Sequence, residues 1–462
     1  MSRQRSHGTL AELPAAFLAR QRAALGGEAD AFERALADPV ARALRANERK
    51  AGLAEITERL GLAVDPVPWC PVATYLPADL RLGDTAEHRA GLFYLQEPSS
   101  MAVVEALRIE PGHRVLDVAA APGGKATHAA ARLGADGFLL VNEVVRTRLG
   151  PLLANLDAWG YPNTAVASTP MPRLERALAG WFDRVIVDAP CSGEALFRRQ
   201  TASRAQWSEA AVAGAARRQG KLLASAAELV AAGGLLGYST CTFAAAENEE
   251  QVEAFLAGHP GWELADPGAA PGAVPVLGGR ALRFYPHRCR CEGQFVAILR
   301  APVGAHDHRF AAGGGARERV GAAGRPNQAW TEFARQALRI GFDAARIRLR
   351  GQAFYLLPPS ADLPSDLALR PGLPLGALVG RTFRPAHALA MALRPQDASA
   401  AEALTDDELA AFRSGRPVPR PGPPGWVLVT MAGRWPVGWA RRSADVLSPR
   451  LPGHARSRSA ER

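Results

Sequence analysis

Apolar residues recur at helical spacing in "LPAAFLARQRAAL" and "ADAFERALADPVARAL", so residues 11–61 read as helical. A proline-punctuated stretch, "VDPVPWCPVATYLP" (64–77), interrupts that pattern, and a new helix is expected from about Ser99. The period then changes. Short apolar runs at 113–119, 137–143, 164–168, 183–189 and 234–240 read as strands, with helical runs between and after them at 124–133, 146–158, 208–232 and 247–257. Strand–helix alternation of this kind predicts an α/β unit, a parallel sheet with helices on both faces. The glycine-rich segment 301–327 reads as a linker or flexible loop. Beyond it, short strands such as "GWVLVTMAG" and "RWPVGWA", one or two helices and proline-rich turns predict a small, separate α+β domain. The expected division is 1–95, mainly helical; 96–302, α/β; 303–327, linker; and 328–462, α+β.

Composition narrows this picture in two ways. With 462 residues, 48% of them hydrophobic, the chain can bury a large core. No run of 18 apolar residues occurs and the start "MSRQRSHGTLAEL" lacks a continuous apolar stretch, so no membrane association and a cytoplasmic location are expected. The net charge is +10, and only Lys50, Lys125 and Lys221 are lysines among the 55 cationic residues. That excess suits a partner with a phosphate backbone. The five cysteines, Cys70, Cys191, Cys241, Cys289 and Cys291, are too scattered for a disulfide framework. Cys289 and Cys291 have no second Cys/His pair nearby, and no metal is expected.

The first strand of the α/β unit runs into "VLDVAAAPGGKATHAAARL" (115–133). Small residues at 119, 121 and 123 follow Asp117 at every second position, the spacing that lets a backbone turn tightly against a ligand. Ala119, Ala120 and Ala121 form the turn, Pro122 fixes one dihedral, and Gly123 and Gly124 free the next two at a helix start. Glu143 lies 20 residues past Gly123, where an acid accepts hydrogen bonds from a ribose. Turn and acid together point to an adenosine-containing cofactor, and the absence of G-x-G-x-x-G disfavours a dinucleotide.

The fourth strand ends "VIVDAPCSGEALFRR", placing Asp188 at the carboxyl edge where open α/β sheets bind ligands. The fifth ends "GYSTCTF". Neighbouring strands lie about 4.8 Å apart, so Cys191 and Cys241, each just beyond its strand, should face one pocket. Loop positions at a ligand edge favour chemistry over burial, and a helix start near Glu247 would favour a thiolate at Cys241.

"DVAAAPGGK", "DAPCSGE" and "YSTCTFAAAENE", in that order and with "GLFYLQEPSS" upstream, resemble the Sun/RsmF-type family of S-adenosylmethionine-dependent RNA (cytosine-5) methyltransferases. "FYPHRCRCEGQFVAILR" and "PLGALVGRTFRPAHALAMAL" are similar to its bacterial RsmF branch, which modifies small-subunit ribosomal RNA. The resemblance implies a Rossmann-like class I methyltransferase core, a C-terminal PUA-like RNA-binding domain, S-adenosyl-L-methionine as cofactor and 16S ribosomal RNA as partner of a monomer. It also implies that Cys241 is the nucleophile, that Cys191 assists release, and that Asp188 contacts the cytosine edge at ring nitrogen 3 and the cofactor. Lys125 is placed beside the cofactor, and Arg148 supports its pocket. "ALRANERKA" (43–51) resembles the family's Arg-x-Asn element and is expected to help hold RNA. One departure stands out: Ser168 and Thr169 follow the third strand, where many relatives carry an adenine-reading aspartate. The alternatives are the same chemistry on transfer RNA or another ribosomal site, and an assembly factor that binds ribosomal RNA without methylating it.

Overall fold

The computed structural model describes residues 13–304, 328–359, 363–364 and 366–456. The linker expected at 303–327 falls outside them from residue 305 onward. Helices Ala15–Leu25 and Ala29–Ala37 form where the apolar spacing predicts them. The helical reading of 11–61 is broken at Arg42–Ala46, which is a strand, before a helix returns at Leu53–Arg59. Pro39 biases Asp38 towards extended backbone, and Asp38 has ψ 158° as the helix ends. Arg42–Ala46 then pairs antiparallel with Cys70–Leu76 on one side and Phe93–Gln96 on the other. With Pro66–Val67 these make a four-stranded sheet, so the N-terminal region is helical only in part. Four consecutive residues of this strand, Ala43–Ala46, are buried on both faces, which erases the alternation that marks a strand in sequence.

The α/β unit is built on strands β1 (Arg114–Asp117), β2 (Phe138–Asn142), β3 (Thr164–Ala167), β4 (Phe182–Asp188), β5 (Val230–Thr240), β6 (Ala281–Phe284) and β7 (Gln294–Arg300). Their order across the sheet is β6-β7-β5-β4-β1-β2-β3. The five strands from β5 to β3 are parallel, as the alternation requires, and β7 runs antiparallel to β5 with Thr240 opposite Phe295. Side chains alternate between two cores: Val115 and Leu139 enter one, Leu116 and Leu140 the other. Helices α1 (Gly124–Arg132), α2 (Arg146–Trp159), α3 (Met171–Leu178), α4 (Glu209–Ala227) and α5 (Glu249–Gly258) connect and cover the strands. The helical run expected to reach 232 stops at 227, and its last residues begin β5.

The C-terminal region is less separate than expected. Its strand β8 (Ala368–Arg370) pairs antiparallel with β3 and extends the central sheet. Leu367 enters one of the sheet's two cores. Two further sheets follow, one over 347–385 and one over 401–449. The second shares a core with the N-terminal sheet, where Leu44, Ile56 and Phe93 meet Val427, Trp435 and Leu447.

Candidate active site

The carboxyl ends of β1, β4 and β5 and the start of β7 enclose a cavity of about 270 Å³. Asp117, Lys125, Asp188, Cys241, Glu292 and Gln294 are in its wall. On the thiol side, β4 and β5 are neighbours as expected, and the sulfurs of Cys191 and Cys241 lie 3.3 Å apart. Cys241 opens to the cavity. Cys191 sits against it, and the adjacent Cys241 sulfur together with burial pushes the Cys191 thiol well up. Cys191 is therefore the sulfur that keeps its proton.

Hydrogen bonds clamp the two thiol loops together. The Ser192 N–H donates to Glu247 Oε2 at 2.9 Å, and Gln219 Nε2 donates to the same oxygen at 2.8 Å. Ser192 Oγ lies 2.8 Å from Thr242 Oγ1, and Asn248 Nδ2 donates to the Thr242 carbonyl at 2.9 Å. Glu194 accepts from Trp207 Nε1 at 2.9 Å and from the Phe243 N–H at 3.0 Å, and pairs with Arg20. Through it the N-terminal helices bear directly on the Cys241 loop. The helix start expected to face Cys241 does not serve there: Ala245–Glu247 is a 3₁₀ turn, and Glu247 is a buried acid turned to Ser192. The positive charge felt at Cys241 is that of Lys125. Burial works to lower that ammonium, but Asp188, with help from Asp117 and Cys241, holds it above the ordinary lysine value. Lys125 Nζ is 2.8 Å from Asp188 Oδ2, while Asp188 Oδ1 accepts from Ser239 Oγ at 2.8 Å and Gln294 Nε2 at 3.3 Å.

On the β1 side, Ala119, Ala120, Ala121 and Pro122 line the cavity. Gly123 has φ +113°, a left-handed conformation that favours glycine. Gly124 packs closely instead, since a Cβ there would lie 3.3 Å from Tyr94 of the N-terminal sheet and the ring would have to move by a few tenths of an ångström. Glu143 and Arg148 are not in the cavity wall but stand beside this turn. Arg148 Nη2 donates to the Ala121 carbonyl at 2.5 Å, and Arg148 Nη1 is 3.2 Å from Glu143 Oε2. That Glu143 oxygen is buried without a hydrogen bond. Asp117, which sequence reasoning used only to anchor the turn, is 1% exposed with neither carboxylate oxygen hydrogen-bonded. Burial and the Asp188 charge, partly offset by Lys125, push its carboxyl up to about 7.

One expectation is restricted by geometry. Arg45 is 0% exposed and donates to Gln96 Oε1, the Gly124 carbonyl and Thr127 Oγ1, while Asn47 donates to the Gly91 and Trp159 carbonyls. Arg45 and Asn47 brace the N-terminal sheet against the α/β unit and are closed to a phosphate, while Arg49 of the same element is exposed. Thr169 is also committed, its hydroxyl donating to the Leu367 carbonyl at 3.1 Å. Away from the cavity, Cys70, Glu105 and His128 bring three ligand types within 4.8 Å of one another, a grouping unseen in the sequence. Arg132 occupies its carboxylate at 2.7 Å. No helix among the described residues is long and apolar enough to cross a membrane.

A parallel sheet with an antiparallel β7 edge, a small-residue turn and unsatisfied acids at its carboxyl ends is the architecture of a Rossmann-like class I methyltransferase. A methyltransferase homologue from Pyrococcus horikoshii superposes with a TM-score of 0.55 at 27% identity, covering 65% of this chain and all of that one. NSun6 from the same organism shares the fold, with a TM-score of 0.57 over 63% of this chain at 21% identity. Residues 104–300 match the 16S rRNA methyltransferase RsmB/F family, 13–98 the N-terminal domain of RsmF, and 332–393 its first C-terminal domain. Ribosomal RNA small subunit methyltransferase F of Pectobacterium atrosepticum is 32% identical over 96% of both chains. The Klebsiella pneumoniae enzyme of that name is 38% identical over 62% of this chain and 63% of its own length. The chain belongs to the RsmB/F family of 16S rRNA methyltransferases, in its RsmF branch.

Proposed function

We propose that this chain methylates carbon 5 of a cytidine in 16S ribosomal RNA, in the cytoplasm, with S-adenosylmethionine as donor and Cys241 as covalent nucleophile. The observation that carries this reading is the pair of thiols 3.3 Å apart, one open to the cavity and the other held as the thiol. Carbon 5 of cytosine is a poor nucleophile. A thiolate added at carbon 6 turns the ring into an enamine that is a good one. Lys125 places its positive charge beside Cys241, and a Cys191 that keeps its proton has one to share with the departing Cys241 sulfur at elimination. Asp188, paired with Lys125, faces the edge of the flipped base.

The cavity's first end suits the cofactor. Asp117 offers two buried oxygens without side-chain donors, fitting the ammonium of a methionine moiety, and Glu143 Oε2, which has no hydrogen bond and is paired only with Arg148, suits a ribose hydroxyl. Bound there, the cofactor supplies an electrophilic methyl group. The chain's own groups orient it through Asp117, the 119–124 turn and the Arg148-braced Glu143. Thr169 gives its hydroxyl to Leu367, so the adenine amino group falls to the Ser168 hydroxyl, backbone or packing.

Bisulfite sequencing of 16S ribosomal RNA from a strain lacking the gene tests the assignment. One cytidine or more should lose its methyl group, and purified protein should restore it. A deletion strain with unchanged 16S methylation would move the substrate to another RNA. A chain that binds the RNA and transfers no methyl group would be an assembly factor.

A further inference from the structure

The wall of the cavity farthest from the cofactor turn carries a carboxylate with no role in the scheme above. Asp117 ends β1 and Glu292 precedes β7, with β4 and β5 between them, so about three strand spacings, roughly 14 Å, separate the two acids. The Thr240–Phe295 register carries residues 292–294 alongside the Cys241 loop. Gly293 holds φ +136°, and a Cβ there would stand 2.5 Å from Phe243 Cζ, so the backbone path at this point is fixed. The Glu292 N–H is tied to Glu97 Oε1 at 2.8 Å. Its side chain is 2% exposed and lines the cavity with Cys241 and Asp188. Oε2 is buried without a hydrogen bond, although Arg199 Nε forms an ion pair with it at 3.1 Å.

Asp188 and Glu292 thus differ in their partners within one site. Asp188 is paired with Lys125 and accepts from Ser239 and Gln294, so its oxygens serve as acceptors. Burial pushes the Glu292 carboxyl up to about 7; Arg199 and Arg198 draw it down and Glu97 raises it. Two carboxyls whose environments separate their protonation assign the acid and the base of a site.

We propose that Glu292 is the acid that protonates ring nitrogen 3 of the target cytosine as Cys241 adds to carbon 6, with Asp188 accepting from the exocyclic amine. The inference rests on the cytosine-5 reading. In the step, the S–C6 bond forms, the C5=C6 pair becomes C4=C5, and the C4=N3 pair moves to nitrogen 3. There it takes the proton as the Glu292 O–H bond breaks. After methyl transfer the C5–H bond breaks, its proton passing to water and its pair re-forming C5=C6 as the S–C6 pair leaves on the Cys241 sulfur; nitrogen 3 then returns its proton and the carboxyl ends as it began. Uracil, with an N3–H and an oxygen at position 4, offers neither the acceptor nor the donor this pair requires.

The test is single-turnover methylation of 16S ribosomal RNA between pH 5.5 and 9 by the full chain and its Glu292→Gln and Glu292→Asp variants. The wild-type rate should fall above about pH 7 as Glu292 loses its proton. Glu292→Gln should be slower by about 10²–10⁴-fold, as expected for loss of a general acid, and should lack that limb. Its Cys241–RNA adduct should form more slowly in proportion, with S-adenosylhomocysteine affinity by calorimetry unchanged. Glu292→Asp should recover part of the rate and a limb. A Glu292→Gln rate within threefold of wild type, or a loss uniform across pH with the limb retained, would overturn the proposal. A wild-type product other than 5-methylcytidine would instead sink the cytosine-5 reading itself.

Discussion

The two ends of the sheet's carboxyl edge are built on opposite principles. Around the thiols, the polar groups of the two loops are satisfied by the protein: Glu247, Ser192, Thr242 and Asn248 bond one another, and the unbonded Gln219 Oε1 and Glu292 Oε2 lie outside those loops. Around the β1 turn they are left open, with both oxygens of Asp117 and one of Glu143 buried without a hydrogen bond, the last facing only the Arg148 charge. An unmet buried acceptor costs about 1–3 kcal/mol, so a protein keeps one where a ligand repays it. The satisfied end fixes the distance between reacting atoms, while the open end waits for a molecule that arrives and leaves.

The sharpest break comes at the thiols. Cys241→Ala should abolish methylation and any covalent RNA adduct, whereas Cys191→Ala should still attack and transfer but remain joined to product. On a denaturing gel, Cys191→Ala with RNA and cofactor should give a slow, protease-sensitive RNA band that Cys241→Ala lacks. An adduct in Cys241→Ala alone would exchange the two roles. At the open end, Glu143→Ala should weaken S-adenosylmethionine binding by about 1–3 kcal/mol with little loss of stability; unchanged affinity in a folded variant by calorimetry would move the ribose elsewhere. At the satisfied end the pattern should invert. Glu247→Ala strands Gln219 and the Ser192 N–H and should lower stability to urea by about 1–3 kcal/mol, leaving cofactor affinity within twofold.

The smallest effect is a pH dependence. Asp117 is raised from 3.8 to about 7 by burial, the Asp188 charge adding to it, so the folded state binds more protons than the unfolded one between those values. Stability should therefore fall as pH rises from about 4 to about 7 and flatten above, by about 1–2 kcal/mol once relaxation and solvent are allowed for. Asp117→Asn should remove that part of the slope, and saturating cofactor should suppress it in the wild type. Denaturant titrations with the same slope in Asp117→Asn would exclude Asp117 as its source.

Local pattern determined a great deal here. The alternation of strand and helix over 113–257, the glycine turn after β1 and the placing of Cys191 and Cys241 at one edge depend on near neighbours and on strand spacing, and all three stand in the structure. Tertiary structure decided what depends on distant partners. Arg42–Ala46 became a strand because Cys70–Leu76 and Phe93–Gln96 pair with both its edges. That burial turned Arg45 and Asn47 from surface cations and amides into internal braces. Leu367, 198 residues away in sequence, claims the Thr169 hydroxyl. Asp117 and Glu292 carry no mark in sequence that separates them from other acids. Their properties come from desolvation and from the charges that the fold packs beside them, and those exist only once the strands have met.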